Sequence, residues 1–347
     1  MSIPIENIYY LLCYAWNKLD EKERVAVSAE DYTKLLDLLA KVLINSTRIL
    51  LKRGIDRNYI DITTEFAGVK GKLELSQTIK TQLLLKQKTV CSFDEFSSNV
   101  LTNQILVATL NRLIRTEGLD TNLKSEIKNL LWRFDEIQPI ELKGTDFGKV
   151  RLHRNNKFYN FILNVCHLIY ENSLLSEKTG DWHFNDFLRD ERKMNQLFEA
   201  FLRNFYAIEQ KNFKVRRENI YWQFSSDDKG NSRFLPLMQT DITLENETAK
   251  IIIDAKFYKE TLKSNYGAEK ITSANLYQLF SYLLNQRNSD PKTQTATGIL
   301  IYPTIEQDYD LQFRYQNHNV LIKTVNLNSD WRSIEYRLKE IINLHFC

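Results

Sequence analysis

Two acids and a base, Asp241, Asp254 and Lys256, are the residues whose types and spacing point to chemistry. Asp254 and Lys256 are two positions apart, so on a strand their side chains share one face, while Ile253 and Ala255 point to the other. The run Ile251-Ile252-Ile253 is β-branched throughout and drives a buried strand that ends at these charges. Asp241 lies on the preceding predicted strand, and the short turn Glu245-Asn246-Glu247-Thr248 folds it back beside Asp254. Buried charges are costly unless paired. A divalent cation held by Asp241 and Asp254 removes that cost, and hard oxygen ligands suit Mg²⁺. Such a centre activates water and polarises a phosphodiester. Lys256 can orient or deprotonate that water, or neutralise charge on the phosphate.

A D-x-K triplet alone is common on surface strands. Here a helix follows it, Asn275-Leu-Tyr277-Gln278-Leu-Phe-Ser-Tyr282, with Gln278 and Tyr282 as i,i+4 neighbours on one face. That polar pair can hold the lysine, a water or a DNA phosphate. Tyr277 and Tyr282 also suit plain helix–sheet packing with polar tips. Glu199 on an upstream helix is a further acid, but it lies off the apolar stripe and reads as solvated.

The elements that must position these residues are a mixed set. Apolar spacing predicts helices over 8–19, 31–52, 100–116, 122–133, 152–175, about 190–208 and 273–285. Strands are expected at 59–65, 72–75, 220–224, 237–244, 249–257, 297–302 and 320–326, with Gly68 and Gly71 bracketing a turn. The helix Ser273–Asn285 should cross over to a strand parallel to the Asp254 strand. The expectation is an α+β and α/β chain in two domains. A mainly helical one with a small β-hairpin over Thr63–Leu75 spans 1–165, and a mixed-sheet one spans 166–347.

The 347 residues are 43% hydrophobic and 26% charged, enough for two cores. A net charge of +3 permits a nucleic-acid partner without demanding one. Cys13, Cys91, Cys166 and Cys347 form no CxxC pair, and none of the five histidines has ligand spacing with another His or a thiol. No GxxxxGK[ST] occurs, so no direct GTP binding by a P-loop is expected. The opening residues lack a signal-peptide pattern and no run of about 18 apolar residues exists, which predicts a cytoplasmic protein without a membrane span.

The Asp–Asp–Lys set with Gln278 and Tyr282 resembles the PD-(D/E)xK nuclease superfamily in its variant with Q-x-x-x-Y on the following helix. Thr240 stands where that motif usually has proline. A closer resemblance, to the McrC family, spans nearly the whole chain. It is carried by Ile3-Pro-Ile-Glu-Asn-Ile-Tyr-Tyr-Leu-Leu-Cys-Tyr-Ala-Trp16, Gly68-Val-Lys-Gly71-Lys-Leu-Glu-Leu-Ser-Gln-Thr78, Gln239-Thr-Asp241-Ile, Asp254-Ala-Lys256-Phe-Tyr258, Asn275-Leu-Tyr-Gln-Leu279 and Leu300-Ile-Tyr-Pro303. The resemblance implies a Mg²⁺-dependent DNA endonuclease subunit of a GTP-dependent restriction complex directed at modified cytosine. Catalysis would fall to Asp241, Asp254, Lys256 and Gln278, with the metal on Asp241 and Asp254. It also implies a partner, a McrB-like AAA+ GTPase ring that reads the modified base and whose GTP hydrolysis this chain stimulates. The N-terminal part would dock in the ring, with Lys70 and Lys72 on the inserted hairpin; the basic cluster Lys52, Arg53 and Arg57 reads either as a contact to DNA or the partner or as a solvated face. Two other readings are a non-catalytic activator of the ring with an idle nuclease fold, and a stand-alone repair nuclease.

Overall fold

The strand Lys250–Ala255 is buried at all six positions, as its isoleucine run requires. It lies inside a six-stranded mixed sheet. The order across that sheet is Asp310–Tyr315, His318–Asn326, Thr297–Thr304, Lys250–Ala255, Ile242–Glu245 and Lys214–Arg216. Lys250–Ala255 runs parallel to Thr297–Thr304, which in turn runs parallel to His318–Asn326. The expected crossover through Ser273–Asn285 is therefore present. On the other side Ile242–Glu245 pairs antiparallel through the expected turn, where Asn246 Oδ1 accepts from Thr248 N and Ala249 N. The computed structural model describes residues 3–16, 34–175, 181–225, 231–258, 263–265, 268–305 and 308–343.

The chain divides into two compact units. Their sequence limits differ from the expected 1–165 and 166–347. One unit holds described residues 34–185. The other holds residues from Asp186 onward together with the first helix, Ile5–Ala15.

In the second unit, the site unit, that first helix is part of the core. Ile8, Leu11, Leu12, Cys13 and Tyr14 are each at most 2% exposed. The Tyr14 ring meets Phe205 at 5.3 Å, Trp331 at 5.5 Å and Phe201 at 5.7 Å between centroids. Asn204 Nδ2 donates to the carbonyls of Tyr14 and Ala15, satisfying acceptors that a helix end leaves open. Leu19, part of the expected helix, lies outside the described residues. The helix Glu191–Glu209 begins at Asp190, whose carboxylate accepts from Arg192 N and Lys193 N as an N-cap. It buries Met194, Phe198, Phe201, Leu202, Phe205 and Tyr206 on one stripe. Ser273–Asn285 lies close on the sheet because Gly298 faces it. A Cβ there would sit 2.9 Å from Leu283 Cδ1 and 3.0 Å from Leu279.

Two expectations change in this unit. The predicted strand over 237–244 is broken into Met238–Gln239 and Ile242–Glu245. Thr240 N bonds Glu218 O instead, and the two pieces pair with different strands. The segment 220–224 is strand only at Asn219–Ile220. The edge strand Asp310–Tyr315 carries no periodic apolar signal in the sequence, since most of its side chains are exposed.

His318 is fully buried. Arg287 Nε donates to its Nε2 at 3.0 Å, so the ring proton sits on Nδ1 and goes to Ala296 O at 2.7 Å. Burial, reinforced by the Arg287 charge, holds its pKa below the usual value against the Ala296 bond. An unfolded histidine takes up a proton below about pH 6.5, while this one does so only at lower pH. Stability should therefore fall as pH drops below that point. His318→Gln is expected to flatten the acid side of a melting-temperature profile, and an unchanged profile would contradict this account.

The other unit, 34–185, is mainly helical. The helices Leu35–Arg53, Leu101–Ile114, Thr121–Leu131 and Tyr159–Glu171 bury their apolar stripes as predicted. Its sheet departs from the expected Thr63–Leu75 hairpin. Asn58–Phe66 pairs over nine positions with Thr89–Ser97, and Lys72–Leu73 joins the far side of Thr89–Ser97. A nine-residue ladder outweighs a two-residue one, and Thr89–Ser97 carries the alternating β-formers that it needs. Gly71, at φ 69°, passes so close that a Cβ would fall 2.6 Å from the Phe93 Cβ. Lys70 Nζ lies 3.9 Å from the Phe93 ring centre, and Lys72 pairs with Glu74 at 2.8 Å. Lys52, Arg53 and Arg57 are exposed.

Cys13, Cys91 and Cys166 are buried, and Cys347 lies outside the described residues. No helix among the described residues is long and apolar enough to cross a membrane.

Candidate active site

Asp254 sits near the end of the isoleucine strand with no exposure at all. Its Oδ1 is buried and accepts no hydrogen bond. Its Oδ2 faces the Lys256 ammonium at 2.9 Å, an ion pair without hydrogen-bond alignment. Burial pushes the Asp254 pKa up to about 7; Lys256 opposes this and the Asp241 charge adds to it. Lys256 is mostly buried too. Burial pulls its pKa down, but Asp254 and Asp241 outweigh that and hold it above the usual lysine value. The lysine is thus a cation at neutral pH.

Asp241 is brought to the same place. It follows the kink at Thr240, whose hydroxyl accepts from Glu218 N at 3.0 Å and bonds Thr243. Asp241 Oδ2 then accepts from Ala255 N at 3.0 Å, across the gap where the ladder has ended. Thr240 does with its side chain what a proline would do with its ring, fixing the chain before the acid.

Gln278 and Tyr282 divide the role expected of them. Tyr282 is buried, and its hydroxyl donates to Gln239 O at 2.9 Å while accepting from Gln278 Nε2 at 2.7 Å. Tyr282 therefore braces the segment leading into Asp241 and aims Gln278. Gln278 is half-buried and lines the adjacent cleft. Asn275 Nδ2 donates to Tyr302 OH and Asn275 Oδ1 accepts from Tyr258 OH, fixing the same helix to the sheet.

Glu199 corrects the sequence reading. It is not a solvated helix acid; its side chain is 16% exposed and lines a cleft of about 770 Å³ together with Lys256 and Gln278. Burial raises its pKa, helped by the Asp241 charge and opposed by Lys256, Arg217 and Arg203. Asn195 Nδ2 donates to Glu199, and Asn195 Oδ1 accepts from Phe257 N at 2.8 Å. That asparagine ties the helix to the end of the Asp254 strand and was not anticipated. Arg192, Arg203 and Arg217 in the cleft wall were not anticipated either. The available signal was helical spacing: residues 192, 195, 196, 199 and 203 fall on one stripe of a 3.6-residue period, alongside the apolar one.

A buried carboxylate oxygen without a donor, next to a second carboxylate, is the environment that a cation relieves. Among the described residues no group of three or more His, Cys, Asp or Glu side chains is disposed to hold a metal. Asp241 and Asp254 alone suit Mg²⁺, which commonly binds through one or two carboxylates and keeps several waters.

With this geometry in place, comparison with known proteins is informative. A family model described as "McrBC 5-methylcytosine restriction system component" matches residues 6–303. The chain belongs to this family. A protein of Escherichia coli K12, the type IV methyl-directed restriction enzyme EcoKMcrBC, is 33% identical over 341 residues, covering 98% of this chain and 97% of its own length. The McrBC likeness extends to a solved structure, a half-complex from a tetradecameric assembly of Thermococcus gammatolerans McrB AAA+ hexamers with bound McrC. The TM-score is 0.58 at 17% identity, over 98% of this chain and 76% of that one. At that identity the match speaks for the fold, a mixed α/β chain with a helical N-terminal region and a mixed sheet in its C-terminal part.

Proposed function

We propose that this McrBC family member is the DNA-cutting subunit of its restriction system and that its site unit is a PD-(D/E)xK endonuclease. The observation that carries the reading is Asp254, a fully buried carboxylate with an unpartnered oxygen, set against Asp241 and Lys256 at the end of a central strand. Asp241 and Asp254 would hold Mg²⁺, which supplies an activated water and polarises the phosphodiester.

The chain's own residues do the rest. Lys256, paired with Asp254 and lining the cleft, is placed to neutralise charge growing on the scissile phosphate or to orient the attacking water. Tyr282 holds Gln278 at the cleft, where its remaining amide groups can orient water or a phosphate oxygen. Asn195 fixes the position of the Glu191–Glu209 helix, and with it Glu199, against the strand end.

The partner would be a McrB-like AAA+ GTPase ring, as in the Thermococcus complex, and the substrate double-stranded DNA carrying modified cytosine recognised by that ring. The 34–185 unit would dock in the ring and stimulate its GTP hydrolysis. The absence of a GxxxxGK[ST] sequence supports leaving GTP to the partner. A cytoplasmic setting follows from that role. The test is cleavage of methylated DNA by the reconstituted complex with Mg²⁺ and GTP. Undiminished cutting in the presence of a chelator would refute the reading.

A further inference from the structure

We propose that Arg203, with Arg217 beside it, is a seat for a DNA backbone phosphate next to the cutting centre. The inference rests on the nuclease reading above and goes beyond the residues that do the chemistry.

Arg203 is half-buried on the cleft-facing stripe of Glu191–Glu209. Its Nη1 is inaccessible and has no hydrogen-bond partner, and among the described residues it forms no ion pair. A guanidinium is a fork of five donors, and leaving a buried one unmatched is costly. Glu199, one turn earlier on the same helix, bonds Asn195 and Arg217 instead. The acids that influence it, Glu199 and Asp241, act on it only through space, while Arg217 repels it. Arg217 itself is 42% exposed and reaches Glu199 only at 3.4 Å.

Two like charges are therefore held together in one concave wall, with Arg192 and Lys256 lining the same cleft. An anion entering the cleft that both side chains line relieves their repulsion. Phosphate is the anion whose geometry a guanidinium fork fits, and in this cleft it belongs to the strand whose scissile bond lies at Lys256. Contacts of this kind fix the register of the backbone and carry no sequence information.

The experiment is fluorescence anisotropy with the full-length chain and a duplex of unmodified DNA, with Ca²⁺ replacing Mg²⁺, across a KCl series. Arg203→Gln should weaken binding roughly 10- to 100-fold, the worth of a hydrogen-bonded charge contact. It should also reduce the slope of log affinity against log salt by about one, the signature of one lost phosphate. Arg203→Lys, which keeps the charge but not the fork, should keep the salt slope and lose part of the affinity. The melting temperature of each variant is measured alongside. Wild-type affinity and slope in a folded Arg203→Gln variant would overturn the proposal. So would competition by inorganic phosphate or GTP that depends on Arg203 while DNA binding does not. If the wild-type chain never cuts DNA yet the Arg203-dependent slope is present, the seat stands and the nuclease reading fails.

Discussion

Asp254→Asn is expected to abolish DNA cleavage while leaving the 34–185 unit, and any partner stimulation that it provides, unchanged. The carboxylate is fully buried and forms the pair that holds Lys256 as a cation. Asparagine keeps the shape and removes the charge, so a divalent cation would be left with Asp241 as the one anionic ligand of this pair. Metal-centred stabilisation of a phosphoryl transition state amounts to several kcal/mol, and about 1.4 kcal/mol is a factor of ten in rate. A loss of at least roughly a thousandfold follows. The measurement is single-turnover cleavage of methylated DNA by the reconstituted complex, with GTP turnover recorded in the same samples. Normal cutting by the variant would remove Asp254 from the centre. Loss of both activities together would show that the substitution had unfolded more than the site.

Deleting residues 1–16 is expected to disable cutting through a different cause, collapse of the site unit. The helix Ile5–Ala15 belongs to that unit and not to the one expected to dock. Burial of Ile8, Leu11 and Leu12 contributes on the order of 4–9 kcal/mol, against a domain stability of roughly 5–15 kcal/mol. The deletion also strips Tyr14 from Phe201, Phe205 and Trp331, and removes Asn7, whose Nδ2 donates to Leu327 O and Ser329 O at 2.8 Å. Thermal melting and limited proteolysis of the variant should show an opened Glu191–Glu209 helix. A melting curve equal to wild type would contradict the packing described. A docking test must therefore spare this helix and remove 34–185.

The convergence of Asp241, Asp254 and Lys256 was largely legible because strand periodicity and a short turn are local facts. Asp254 and Lys256 share a face by the alternation of a strand, and the turn at Glu245–Thr248 returns Asp241 to within reach of the Ala255 amide. Gln278 and Tyr282 followed from helical spacing, though spacing did not show that Tyr282 faces inward to Gln239. Glu199 and Arg203 were harder to read. A polar stripe on an amphipathic helix ordinarily faces water, and only the tertiary fold turns this one toward a cleft. The first helix shows the same limit: its apolar stripe says that it is buried, not in which unit. Thr89–Ser97 was missed because its partner, Asn58–Phe66, lies across two glycines and a short helix.

The most direct test combines this chain, its ring partner, GTP, Mg²⁺ and DNA with methylated or unmethylated cytosine, and omits each component in turn. Double-strand cutting is expected only when all are present and the DNA is methylated, and it should vanish with Asp254→Asn in place of the wild-type chain. Cutting that persists with that variant, or with Mg²⁺ removed by a chelator, would contradict the assignment of Asp241, Asp254 and Lys256 as the centre that breaks the phosphodiester bond.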